Sequence, residues 1–536
     1  MTVPGSPASL ARLVLAALVF LAAACLAPSP AAAQDDYLAR ANAFYASIPQ
    51  DKRSDLVLLP AVKEMDPLPE ILEDDDAYAL FFPVTSSRWP ELERWIMAPA
   101  QRAALEALHR ATEDEGPTTR MVFAQPYGYE GVDPDLVMAE LYTELGDPPS
   151  LAAAQFLYLD RLDNLFDLAW LEATRLHAAG DGAGAMEVLL DGLFLARQIA
   201  DRELAEEKFI GMLAMHLFLE RLRDIAYQDF SSQSRSLTPQ VLIDVVRRLD
   251  ERTGPLGIER IRLPRADVLA VEQLLHQAYD RTTRKPNPAT YSTVMARVSS
   301  NDRPLRLFSE AARWDMARAA AADWHTVTDA LHAVNNDFFR RWDLGERDPV
   351  RALTTEYERS IRGNPGLAPI AMSYAVYPKF FTLRQSLRVE AGGTRMALAM
   401  YAYHLQHNTF PLSITAVRPN FAPRMDPDPH HPSGGDYAFF VPIRDQPKGP
   451  RGEPAPPHQI RVYPSLFNGA KEDTGAFAVT LRDDQFVIYS LGPDETRGWA
   501  KEATQSQEEY PQGDHLIWPP VMSLLRTHLQ QQGRLD

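Results

Sequence analysis

Between residues 150 and 388 apolar side chains recur every three or four positions. Leu165, Leu168, Ala169, Leu171 and Leu176 form one such stripe, and Ala185, Val188, Leu189, Leu193 and Ala196 form the next. This spacing matches the 3.6-residue turn of an α-helix, so it predicts two amphipathic helices. Gly180-Asp181-Gly182 between them supplies a stop and a turn. Phe209, Leu213, Leu217 and Ile225 continue the pattern, and further helices are expected over 266–279 and 308–342. Polar, turn-rich residues at 282–288 separate those two.

The flanking regions have another texture. Residues 34–149 are mixed and rich in proline, with a helix expected over 37–48 and another starting at Pro90, which carries Leu92, Trp95 and Ile96 on one face. Near Val389 the character changes. One helix is expected to about His407, with Ala391, Thr394, Leu398, Tyr401 and Leu405 along a face and Asn408 as its left-handed cap. Proline-rich loops and short β-type runs at 437–441, 477–481 and 486–490 follow, and Asp483-Asp484-Gln485 reads as a hairpin turn between the last two. The fold class expected is mainly α: an irregular helical body at 150–388, then a small α+β domain at 389–525 and a tail at 526–536.

The first 33 residues lie outside that scheme. Arg12 precedes an apolar run at 13–27, Pro28-Ser29-Pro30 breaks it, and Ala31-Ala32-Ala33 offers a small-residue cleavage site. These are the three parts of a secretory signal, and the run is shorter than the roughly 20 residues a membrane span needs. Export to the periplasm or beyond is expected. Cys25, the only cysteine, follows Ala22-Ala23-Ala24, so lipid anchoring there is the minor alternative; Leu21 stands one place too early for a lipobox. No later stretch is apolar enough to span a membrane, so none is expected after cleavage.

Charge narrows the partners. Lys and Arg number 54 against 72 Asp and Glu, a net charge of −18, which argues against a nucleic-acid-binding face. The run Glu73-Asp74-Asp75-Asp76 reads as solvated charge rather than a cation loop, because no ligand spacing follows it.

Two resemblances add to this reading. The pair of helices around Gly180-Asp181-Gly182 faintly resembles a tetratricopeptide hairpin, although no second copy recurs at a 34-residue period. In the C-terminal part, His407-Asn408-Thr409-Phe410-Pro411, Met425-Asp426-Pro427, Tyr437 and Ile488-Tyr489-Ser490-Leu491-Gly492-Pro493-Asp494 occur in order after a helix. That series resembles the head of the type II secretion major pseudopilin and of uncharacterised exported bacterial proteins that end in similar motifs. Pseudopilins carry an apolar assembly helix at the start of the mature chain; here a long body precedes the head and 383–389 (LRQSLRV) is charged. The resemblance therefore implies a head fold without polymerisation. It also implies a calcium loop, in which Asp494 matches the acidic position, Leu491 offers a carbonyl and Asp514 a returning carboxylate. Calcium wants six to eight oxygens, and the competing reading is that Asp494 stabilises a Gly-Pro-Asp turn.

Catalytic motifs add nothing. No G-x-S-x-G elbow, Walker loop or G-x-G-x-x-G is present, and a thiol nucleophile leaves with the signal. His404 with His407, and His430-His431 beside Asp426 and Asp428, have spacings that zinc can use, but helix-end and surface roles explain them as well. Glu172, Glu206 and Glu207 are acids without a distinguishing signature. The function expected is a non-enzymatic envelope protein whose helical body binds an envelope protein partner, with no cofactor beyond the calcium the resemblance implies. The alternative is a periplasmic hydrolase whose carboxylates converge only in space.

Overall fold

The computed structural model describes residues 35–73, 79–113, 120–232, 234–250, 254–299, 307–345, 348–370, 376–445, 456–470, 474–482, 485–504 and 513–535. The expectations for the signal at 1–33, the acids at 74–76 and the turn residues 483–484 lie outside them. The chain is mainly helical, with two small sheets near the C-terminus and a two-stranded ribbon of β1 (Thr143–Glu144) and β2 (Gln155–Phe156). Among the described residues no helix is long and apolar enough to cross a membrane.

Local signals set most helices. Asp35–Ala46 forms as predicted, and Trp89–Ile96 takes Pro90 into its first turn and buries Leu92, Trp95 and Ile96. α1 (Tyr158–Ala178) ends at Gly180, whose φ of 84° suits a residue without Cβ. Asp181 then caps α2 (Gly182–Ile199), its carboxylate accepting from the Gly184 amide at 2.8 Å. The expected helix over 308–342 is two helices, Leu307–Arg318 and Trp324–Trp342. The break comes at Asp323, which caps the second by accepting from the amides of His325 and Thr326.

α3 (Ala205–Ser232) departs from its sequence pattern. Ile225 is buried as expected, but Phe209 is exposed and Leu213 and Leu217 are only half-buried, whereas Met212, Met215, Phe218, Leu219 and Leu222 are buried. The reason is that α3 packs on several elements at once, so an apolar stripe no longer marks its inside. Its crossing with α2 is tight. A Cβ at Gly211 would lie 2.4 Å from the Ala200 amide nitrogen and 2.8 Å from the Ala196 oxygen, and backbone cannot rotate aside. Gly211→Ala is accordingly expected to lower stability by about 1–3 kcal/mol. Urea unfolding checks this, and an unchanged midpoint would contradict so close a crossing.

The change of character near Val389 falls inside one helix, α4 (Tyr377–His407). The charges at 383–389 do not interrupt it because they are accommodated. The Arg384 guanidinium lies 3.7 Å over the Trp342 ring and donates to the Trp342 carbonyl at 2.8 Å, while Arg388 pairs with Glu259. Asn408 caps the helix with a φ of 52°, as expected.

After α4 come β3 (Ala438–Phe440), β4 (Gln459–Tyr463), β5 (Phe477–Thr480), β6 (Val487–Ser490), β7 (Glu502–Thr504) and β8 (His515–Trp518), in two sheets ordered β3-β6-β8 and β5-β4-β7. The expected β5–β6 hairpin is therefore corrected: β5 pairs antiparallel with β4, and β6 lies between β3 and β8. All four β6 residues are buried, which suits a central strand. β5 exposes Ala478 and Thr480, which suits an edge strand with one face in water.

Of the residues read as a tail, 526–531 instead complete α5 (Val521–Gln531), and Arg526 is buried against Asp224 of α3. One continuous set of buried apolar side chains runs from Tyr37 to Leu535, so body and head share a core.

Candidate binding groove

Three kinds of site compete for function. The first is a buried charged column on α3. Glu220 accepts from the Met522 amide at 2.7 Å and from Asn468 at 2.6 Å; Arg223 pairs with Glu390 and donates to Thr394 at 2.6 Å; His515 meets Glu390 at 2.6 Å. Burial, with the Glu390 charge, pushes Glu220 up to about 8. For Glu390 burial is overcome by Arg223 and His515, which hold its carboxyl below the usual range. All these side chains are closed to solvent, so the column ties α3, α4, β8 and α5 together rather than meeting a substrate. Glu207 likewise holds Tyr127 at 2.9 Å, Arg202 at 2.8 Å and Tyr158 inside the body, and Glu172 pairs with Arg102 and Arg175.

The second is the head loop that sequence singled out. Buried Asp428 accepts from Ser490 Oγ at 2.6 Å, the Leu491 amide at 3.0 Å and the His430 amide at 3.0 Å, so the Asp-Pro and Tyr-Ser-Leu-Gly segments do meet. Exposed Asp494 turns back on its own loop, accepting from the Thr496 amide at 3.0 Å and from its hydroxyl. Asp514 accepts from the amides of Ala500 at 2.7 Å and Gly498 at 3.3 Å. Asp494 and Asp514 thus each spend carboxylate oxygens on donors of the protein itself, while burial raises the Asp514 carboxyl and the nearby Asp494 and Asp428 charges raise it further.

Among the described residues only His109, Glu187 and Asp191 bring three such donors within 4.8 Å of one another. Each carboxylate there already has a protein partner: Asp191 takes His109 and Thr112, and Glu187 takes Arg248. The histidines weighed for zinc have other roles. His404 stacks on Phe410 at 4.4 Å, His407 packs on Tyr403 and Phe421, and His431 accepts from the Ser433 amide.

The third is open surface. A cavity of about 910 Å³ lies over the outer face of the β5-β4-β7 sheet, bounded by Pro456, Pro457, His458, Trp499 and Lys501. The strand alternation puts Gln459 and Arg461 outward, with Ile460 and Val462 in the core. Register sets Gln459 opposite Thr480, and Arg461 between Ala478 and Glu502. Arg461 and Lys501 are exposed, while His458 is closed in and burial lowers its pKa.

Trp499 reaches this groove through an unusual turn. It and Ala500 take φ values of 60° and 51°, a left-handed conformation that costs a residue with Cβ roughly 1–2 kcal/mol. The two amides flanking Trp499 donate to Asp514, whose own backbone pairs across β7 and β8. Burial pushes Asp514 up to about 7 against those two donors. Sequence reading found Asp514 but missed the groove, since nothing in a Gly-Trp-Ala-Lys string marks a binding wall.

Two smaller cavities flank the head. One of about 610 Å³ lies at Arg235, His404 and Asn408, beside an Asp229 carboxylate already taken by Tyr401, Ser234 and Ser236; the other, of about 500 Å³, lies under Leu412 and Arg497. Compared with protein-family models, with curated proteins and with solved structures, the chain finds no match.

Proposed function

We propose that the chain is an exported, non-enzymatic envelope protein whose helical body, faintly tetratricopeptide-like at the α1–α2 hairpin, holds a pseudopilin-like head towards an envelope partner. The observation that carries this reading is α4. It is the helix that leads into the pseudopilin-like segments, and it is buried from Phe380 to Ala402 for most of its length. Arg395, fully buried on it, donates to the Val246 carbonyl at 3.1 Å and pairs with Asp250 and Asp426. A helix spent on internal contacts has no surface left for a filament, so the head serves as a fixed module on a body.

The test is the fate of the full-length protein in its own cell. Recovery from the envelope fraction as a non-filamentous species with Gln34 as first residue is expected. A cytoplasmic protein retaining Met1, or a ladder of self-crosslinked filaments, would overturn the reading.

The hydrolase alternative draws its support from α1. Asp163, exposed, and Asp167, half-buried, lie four apart, and partial burial together with the Asp163 charge raises the Asp167 carboxyl, the direction a general acid needs. Its test is hydrolysis of envelope polysaccharide that Asp167→Asn abolishes without unfolding the protein.

A further inference from the structure

We infer that the groove over β4 binds an acidic saccharide, a sugar chain carrying carboxylates, with Trp499 as its aromatic wall and Asp514 as the positioning residue that sets that wall. The inference needs neither export nor the pseudopilin reading, and it goes beyond both.

The ligand class follows from what the groove offers. β4 lies between β5 and β7, so both of its backbone edges are taken. What faces outward is side chains, not unpaired amides and carbonyls. An extended peptide added to a sheet needs the latter, whereas a sugar ring uses the former. Gln459 and Thr480, opposite one another, supply an amide and a hydroxyl for ring hydroxyl groups. Arg461 and Lys501 supply two exposed cations in a chain whose net charge is −18. Glu502 stands beside Arg461 at the rim, so the groove suits carboxylates spaced one per ring and repels a dense polyanion.

Trp499 completes the set. Saccharides present flat apolar faces, and ligand sites commonly combine an aromatic wall with a few placed polar groups. Its turn is strained for a non-glycine residue, and strain of this kind persists only where surrounding structure enforces it. Asp514, 3% exposed, does the enforcing through the amides on either side of Trp499. The buried acid thus acts on the ligand through Trp499 and does not touch it.

The experiment is calorimetric titration of the purified protein with oligogalacturonate, with a neutral cello-oligosaccharide of equal length and with poly-glutamate. Oligogalacturonate is expected to bind at least tenfold more tightly than either control and to weaken as salt rises. Trp499→Ala and the double variant Arg461→Gln, Lys501→Gln are each expected to lose at least tenfold in affinity. The exposed pair does so at unchanged melting temperature, whereas truncating Trp499, half-buried against Phe440 with the Arg497 guanidinium 4.3 Å over its ring, also lowers it. Asp514→Asn is expected to weaken binding severalfold and to shift the indole resonance that Trp499→Phe identifies, a readout a purely structural acid would leave in place. Tighter binding of poly-glutamate, equal binding of the neutral sugar, no binding at all, or wild-type affinity in Trp499→Ala would each overturn the proposal.

Discussion

Asp224→Ala is expected to cost about 3–5 kcal/mol of folding stability, the largest effect of any single substitution considered. Asp224 is fully buried on α3. One carboxylate oxygen accepts from Ser523 Oγ at 2.5 Å and Arg526 at 2.6 Å; the other accepts from Arg526 at 2.6 Å and pairs with Arg221. Alanine would leave two buried guanidinium groups side by side with no anion between them. Burial alone opposes the charge on Asp224, but Arg526 and Arg221 outweigh it and hold the carboxyl well below the usual range. A carboxyl lowered in the folded state contributes stability above its unfolded pKa, and loses it as pH falls toward the folded value. Chemical unfolding of Asp224→Ala should therefore show a much lower midpoint at pH 7 and a shrinking gap in strong acid. Replacing Asp224, Arg221 and Arg526 together by Leu, Met and Met is expected to cost less than the single change, because no charge is then stranded. An Asp224→Ala protein as stable as the wild type would mean that α5 is not docked on this column.

The second large effect concerns acid. His216 is 1% exposed, its ring stacks on Phe467 with centroids 4.9 Å apart, and neither nitrogen closes a hydrogen bond of normal geometry. Burial lowers its pKa from 6.5 to about 4, with the nearby Glu390 charge opposing and His515 and Arg223 assisting. The unfolded chain therefore binds a proton here that the folded chain refuses, so between pH 6.5 and 4 stability falls as pH falls. His216→Phe keeps the stacked ring and removes the titration. The variant is expected to match or exceed the wild type at pH 7 and to gain on it steadily down to pH 4.5, each pKa unit being worth about 1.4 kcal/mol. The difference between the two melting profiles isolates this residue, because the other titrating groups are common to both proteins. A difference that stays flat with pH would show that His216 takes up its proton in place.

How much of this was legible beforehand depended on how local the cause was. The Gly180-Asp181-Gly182 stop, the Pro90 start and the Asn408 cap each rest on residues within one turn of the feature, and each formed as read. Asp323 was missed as a break because the flanking helices share a period, although an Asp ahead of His325 and Thr326 is itself a capping signal. The β5–β6 hairpin failed for a different reason. A turn string between two β-type runs predicts pairing only if no better partner exists, and β6 found two in β3 and β8.

Sequence by itself determined the helical character of the body, the helix ends, and the order of short segments in the head, because propensity, capping and periodicity act over a few residues. It also carried the expectation of an export signal and of a pseudopilin-like series. Only the tertiary structure decided that α3 is enclosed, that its charges have partners on α4 and α5, that the presumed tail carries a buried Arg526, and that Asp514 holds Trp499 in a groove. Those facts join residues far apart in the chain, such as Asp224 with Arg526. No local pattern encodes which acid will meet which arginine, since any of the chain's 72 acids satisfies the same local rules.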